Sequence, residues 1–430
     1  MVLAFVPIAL FALAVYVSVT RNNDTVGTVG RESTRGIAVA QASKLDLAEL
    51  DEIVLLELLE PSELASGGFP EEYNTKRRDL HDNLVVAAAE AASGVAHQRS
   101  LVNIDHALAH YHALVQGAFE ASVAEEPDPA LVAAWYTPAH EVMEGTLLPQ
   151  AEALDKANSY VLNTSYEGHK ADASSAQAMI VWSWLALLAF LVVVQVLLAR
   201  RFRRILNIPV LAATILAVVS GMLVMARLDH SRSNLTKARE EAFDSVHVLA
   251  RARANAVTAR QAQGQRLLDP SMTGTEAESL FRAQADKLFR VRAEDDVIET
   301  AQAGYLDEGA GGYLATVARA DESNGRIRGG ARHSLLQSFG AFLEEDDDLR
   351  DLVDVADLAG AQTMYSRPAA FTALIEEIDQ AQAERQRQFD RYARAAGRAT
   401  DDLQLITLVL VSGMAVLVVF GLGQRLKEYT

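Results

Sequence analysis

The sequence predicts an all-α membrane protein: four transmembrane helices carrying two extracytoplasmic antiparallel helical-bundle domains in tandem. Three observations lead there. Four windows, residues 2–20, 176–198, 205–226 and 403–423, contain no Asp, Glu, Lys or Arg. At 1.5 Å of rise per residue each is about long enough to cross a hydrocarbon core of roughly 30 Å. The long stretches between the windows repeat apolar residues at three- and four-residue intervals, without the alternation of strands. The short link between the middle windows, Arg200, Arg201, Phe202, Arg203 and Arg204, is almost entirely basic, and short basic loops stay on the cytoplasmic side.

Taken in order, residues 1–20 form the first span. No basic residue precedes it, and Val17, Ser18, Val19 and Thr20 make a poor cleavage site, so it reads as an uncleaved span rather than a signal peptide. Residues 21–175 form the first bundle. Leu45, Leu47, Leu50, Ile53, Val54 and Leu58 mark its first helix, which Pro61 and the loop Ser66, Gly67, Gly68 end. Further helices are expected over about 71–96 and 101–123, and Pro127, Asp128 and Pro129 open a fourth that runs towards the second span. Pro149 lacks an N–H and leaves the carbonyl of Gly145 without its helical donor, so Gly145 and Pro149 mark a candidate kink. Trp182 and Trp184 are expected at the outer interface of the span over 176–198.

After the hairpin, 199–204, comes the span over 205–227. Ala213, Ala217 and Gly221, four apart, form a ridge of small residues where another membrane helix can approach closely. Residues 228–402 form the second domain, with helices over 229–268, 276–291 and 331–358, loops near 309–312 and 321–330, and a break at Pro368 before a last helix. The span over 403–423 and the tail over 424–430, with Arg425 and Lys427, close the chain. The two halves repeat an architecture rather than a sequence.

Charge separates by segment. Residues 21–175 hold 25 acids against 10 bases and residues 229–402 hold 31 against 22, within a net charge of −18. Such acidic domains do not suit nucleic acid, whose phosphates need a basic face. The chain has no cysteine, so neither disulfides nor thiolate metal sites are available. The strongest metal-like spacing, Asp105, His106 and His110, reads as a polar helix face. His140 and Glu141 begin an HExxH-like string whose fifth residue is Glu144, so the second ligand is missing. Gly325, Gly329 and Gly330 lack the Lys and Ser/Thr of a phosphate loop, and Glu344 to Asp348 lack EF-hand spacing. No nucleophile, base and orienting acid come together, so no enzyme activity and no cofactor are expected. The spans hold no ionisable residue for ion coupling, which argues against transport.

Several stretches resemble a known family. They are Tyr111, His112, Ala113, Leu114 and Val115; Trp135 and Tyr136; Thr146, Leu147, Leu148, Pro149, Gln150 and Ala151; then Phe243, Asp244, Leu249, Arg251 and Arg253; Gly312, Tyr313 and Leu314; and Gly421, Leu422, Arg425, Leu426, Glu428 and Tyr429. They are similar to the actinobacterial GlnX family of tandem-sensor membrane proteins, and more remotely to the four-helix ligand-binding domains of chemoreceptors. The resemblance implies a bacterial cell-membrane protein that relays extracytoplasmic amino acid availability. A GlnH-type solute-binding lipoprotein would be its partner outside and a PknG-type Ser/Thr kinase its partner inside; a homodimer is compatible with it. On that reading both termini are cytoplasmic, and Arg200, Arg201, Arg203, Arg204, Arg425 and Lys427 form the candidate output surface. A non-signalling scaffold for envelope partners is the alternative, and an exported metal-binding protein using His106 and His110 a remote one.

Overall fold

The computed structural model describes residues 5–27, 33–61, 69–90, 95–202, 207–268, 274–292, 296–306, 309–325 and 333–426. The loop expected at 66–68, together with Arg203, Arg204, Gly329, Gly330 and Lys427, lies outside them. Among the described residues the regular structure is helical, apart from one isolated bridge between Arg290 and Gly311. In the first half the helices are α1 (Val6–Gly27), α2 (Ser33–Leu59), α3 (Glu71–Glu90), α4 (Val95–Ser122), α5 (Pro129–Val142) and α6 (Leu148–Phe202), with a π-helical turn at Met143–Leu147 before α6. The second half contains α7 (Ile208–Lys237), a π-helical turn at Ala238–Phe243, α8 (Asp244–Leu268), α9 (Gly274–Leu288), α10 (Val297–Ala303), α11 (Tyr313–Ser323), α12 (Ser334–Asp354), α13 (Leu358–Ser366), α14 (Ala369–Asp401) and α15 (Leu403–Leu426).

Local chemistry explains the boundaries. Asp128 accepts from the Ala130 N–H at 2.9 Å and Pro129 takes the first helical position, where its missing N–H costs nothing, so α5 starts there. The short α10 is held at both ends: Asp296 accepts from the N–H groups of Ile298 and Glu299, and Gly304 closes it with φ 71°. Asp357 caps α13 through the Gly360 N–H at 3.0 Å. The sequence expectation passes over α10, α11 and α13, because helices of 7, 11 and 9 residues offer too few turns for a periodicity.

The chain forms two compact units. The first comprises Met1–Thr34, Val161–Glu240 and Gln388–Thr430. Its core draws Phe11 and Val15 from α1, Leu187 and Leu191 from α6, Val224 and Leu228 from α7, and Met414 and Val418 from α15. Leu13, Val193, Ile215 and Leu408 point outward and stay apolar, as a surface facing hydrocarbon requires. Among the described residues three helical stretches, Ser174–Arg200, Ile208–Leu268 and Leu358–Leu422, contain windows long and apolar enough to cross a membrane. The protein is therefore an all-α, multi-pass membrane protein.

The second unit comprises Arg35–Tyr160 and Glu241–Arg387. Here the structure differs from two bundles in tandem, because both stretches share one core. Leu47, Val54, Tyr111 and Met143 from the first belong to the same apolar cluster as Leu249, Val257, Phe339 and Phe371 from the second. The reason lies in α8, where Ala252, Ala256, Ala259 and Gly264 leave little side chain in the way and α2 can come close. At Gly264 a Cβ would collide with Leu55 and would stand 2.6 Å from the Tyr365 hydroxyl. Periodicity marks which face of each helix is apolar; it does not say which helix covers it.

Candidate functional site

The first polar centre of the second unit is built on Asp51. It lies on the apolar face of α2, in line with Leu47, Val54 and Leu58, and is fully buried. A buried carboxylate is tolerated only when its oxygens accept enough hydrogen bonds. Three donors provide them: the Tyr111 hydroxyl from α4 at 2.8 Å, the Tyr136 hydroxyl from α5 at 3.2 Å and the His140 Nδ1 from α5 at 2.8 Å. Asp51 thus ties three helices to one point. Burial pushes the His140 imidazole down, but the Asp51 carboxylate beside it, with Glu144 and Glu141, outweighs burial and holds it above the ordinary value. Burial and the Asp51 charge together push both tyrosines well up, so they remain donors.

One turn beyond His140, Glu144 sits in the π turn and faces a cleft of about 450 Å³. Lys44 of α2 and Leu148, Glu152 and Lys156 of α6 form one wall; Asn255 of α8, Lys287 of α9 and Tyr313 of α11 line the other. The lining is of mixed charge. Glu152 takes both Lys44 at 3.2 Å and Lys156 at 2.9 Å, and the Lys156 hydrogen bond, with Lys44 behind it, holds its carboxyl down at about 2. The Glu144 Oε1 is buried and accepts no hydrogen bond. Burial pushes the Glu144 carboxyl up, against the pull of His140.

A ladder of polar contacts joins α2 to α8. Arg253 pairs with Glu49 of α2 and also reaches Asp379 at 2.8 Å. Arg260, 2 % exposed, donates to Glu52 at 2.6 Å and to the Tyr365 carbonyl at 2.6 Å, while its guanidinium lies over the rings of Tyr365 and Phe371. Gln261 donates to the Ala48 carbonyl at 2.5 Å. These bonds make the two stretches mechanically one body, since neither helix can slide along the other without stranding a buried charge.

The residues singled out in the sequence are placed as follows. Arg200 is exposed near the end of α6, Arg201 belongs to the same helix, and Arg425 lies in the last turn of α15. Gly145 lies inside the π turn and Pro149 is the second residue of α6; both are exposed. The helix accommodates the missing proline N–H next to a π turn, where the ladder already shifts from i→i+4 to i→i+5. Ala213, Ala217 and Gly221 are buried on α7. Trp184, expected at an interface, packs on that ridge: its Nε1 donates to the Ala217 carbonyl at 2.8 Å, and a Cβ on Gly221 would strike its indole. Trp182 is 71 % exposed. Asp105, His106 and His110 are exposed on α4, and among the described residues no group of three His, Asp or Glu side chains converges as a metal-ligand set.

Sequence reasoning passed over Asp51, Glu52 and Arg260, and met His140 only as the start of an incomplete metal motif. The signal was present for two of them: Asp51 and Arg260 each interrupt an otherwise apolar helical stripe.

Residues 25–167 match the family model of an actinobacterial sensor domain, which places Asp51, Tyr111, Tyr136, His140 and Glu144 inside the matched region. No curated protein matches the chain. No solved structure matches it either.

Proposed function

We propose that the chain is a transmembrane sensor that relays extracytoplasmic amino acid availability, received through a solute-binding lipoprotein, to a cytoplasmic Ser/Thr kinase. The observation that carries the reading is a sensor-domain match over residues 25–167 in a chain whose described residues include three helical stretches long and apolar enough to cross a membrane. In this reading the first 20 residues add a fourth crossing, and α1 supports it by packing into the same core as α6, α7 and α15. Both large segments then face outward and both termini inward. The α2–α8 ladder supports a shared response, because a displacement of α2 is felt by α8 at Glu49, Glu52 and Ala48. A signal of this kind needs two states of different affinity for the messenger. The output surface is the basic hairpin and tail, Arg200, Arg201, Arg203, Arg204, Arg425 and Lys427. No catalytic step is assigned to the chain.

The test is association on both sides of the membrane. The full chain, in membranes, is used to capture the lipoprotein and the kinase with and without amino acid. Association that changes with amino acid is the expected result. Association on both sides that ignores amino acid would replace the sensor by a scaffold. Replacing the four hairpin arginines by alanine should weaken kinase capture, with topology checked in the same preparation.

A further inference from the structure

We infer that the cleft beside the π turn binds a small zwitterion, a molecule with one ammonium and one carboxylate on a short skeleton, its ammonium at Glu144 and its carboxylate at Lys287. The inference deepens the sensor reading and rests on it for its purpose: the chain would meet a small ligand itself.

The charges of the cleft lead to this ligand. Lys44 and Lys156 both close on Glu152, which removes three of the five lining charges from use. Two remain. Glu144 holds Oε1 buried and without a hydrogen-bond partner, so the inner end offers an oxygen with no donor on it. Lys287, exposed, has its Nζ bonded to Gln284 of its own helix at 2.8 Å, and among the described residues no carboxylate lies within ion-pair distance of it. A carboxylate oxygen without a hydrogen-bond donor and an ammonium bonded only to a neutral amide, lining one cleft, fit opposite ends of one dipolar molecule. A simple carboxylate would face Glu144 unscreened, and a simple amine would leave Lys287 unanswered. The buried amide of Asn255 and the Tyr313 ring complete the lining. A cleft of about 450 Å³ lies within the usual range for small-molecule sites, about 300–1,000 Å³.

Position gives the site its consequence. One wall carries the π turn and the start of α6, the other belongs to α8, α9 and α11. A bound ligand therefore bridges the two stretches of the unit and loads the turn that continues into α6. An ammonium at Oε1 also offsets the burial that pushes Glu144 towards its neutral form.

The test uses the full chain in nanodiscs, without partner proteins, and four probes of one skeleton size: L-alanine and β-alanine as zwitterions, propionate and propylamine as their single-charge counterparts. Calorimetry should give saturable binding of at least one zwitterion, with both single-charge probes at least about tenfold weaker. Glu144→Gln and Lys287→Met should each weaken the zwitterion at least about tenfold, while Arg282→Met, on the same helix as Lys287 but outside the cleft and paired with Glu278, leaves it within about threefold. Lys287 is solvent-exposed, so its variant folds and stays informative if the other does not. The inference is overturned if neither zwitterion saturates, if propionate or propylamine binds as well, or if the Lys287 variant binds as the parent does. Failure here with amino-acid-dependent partner capture intact removes this site and leaves the sensor reading; binding here without any partner response does the reverse.

Discussion

Replacing Asp51 by Ala would leave the Tyr111 and Tyr136 hydroxyls and the His140 imidazole without their shared acceptor in the core. Stranded buried donors cost about 1–3 kcal/mol each, so Asp51→Ala should destabilise the protein by at least about 3 kcal/mol, read as a fall in thermal midpoint. Tyr136→Phe removes one donor of three and should cost only about 1 kcal/mol. His140 adds a pH dependence. Its imidazole is held above the ordinary value because Asp51 and Glu144 outweigh burial, so folding favours the protonated form. That contribution is fully present below about pH 6.5 and is lost as pH rises through the elevated folded value. Between pH 6 and 8 the thermal midpoint of the parent should therefore fall towards that of His140→Gln; parallel profiles would contradict it. Part of this centre was legible, since Asp51 lies in register with Leu47, Val54 and Leu58. In a chain with 57 acidic residues, one more Asp reads as solvated until its partners are known.

At the scale of elements, the α2–α8 contact is the one that only tertiary structure assigns. Arg260 and Glu52 form its most buried pair, with the carboxylate 13 % exposed. Burial pushes the Glu52 carboxyl up and Arg260 opposes that. Arg260→Met leaves Glu52 buried and uncompensated, and should cost about 3–5 kcal/mol. Adding Glu52→Gln should restore part of that loss, giving a coupling of at least about 1 kcal/mol in a double-mutant cycle of denaturant midpoints. Additive losses would show that the pair does not hold the helices together. Long helices such as α4 and α14 were legible from their period and their Pro breaks. The π turns were not, because one extra residue in a turn leaves no compositional mark beyond the nearby Gly145 and Pro149.

For the whole molecule, the absence of cysteine makes sidedness directly measurable. With the proposed topology, Glu126→Cys and Asp348→Cys, both at exposed positions, should react with an impermeant maleimide in intact cells. Phe202→Cys should react only after permeabilisation. The opposite pattern would invert the orientation and move the arginine hairpin to the outside.

By itself the sequence determined the all-α class, the apolar windows, most helix boundaries and the division of charge between segments. Each follows from local rules: hydropathy over about 20 residues, a 3.6-residue period, and the backbone chemistry of Pro, Gly and Asp. The tertiary structure decided that residues 35–160 and 241–387 share one core, that Asp51 gathers Tyr111, Tyr136 and His140, and that Glu144 and Lys287 line one cleft. Those pairings join residues far apart in the chain. A helix's own period specifies the face it must bury, and only packing selects the partner that buries it.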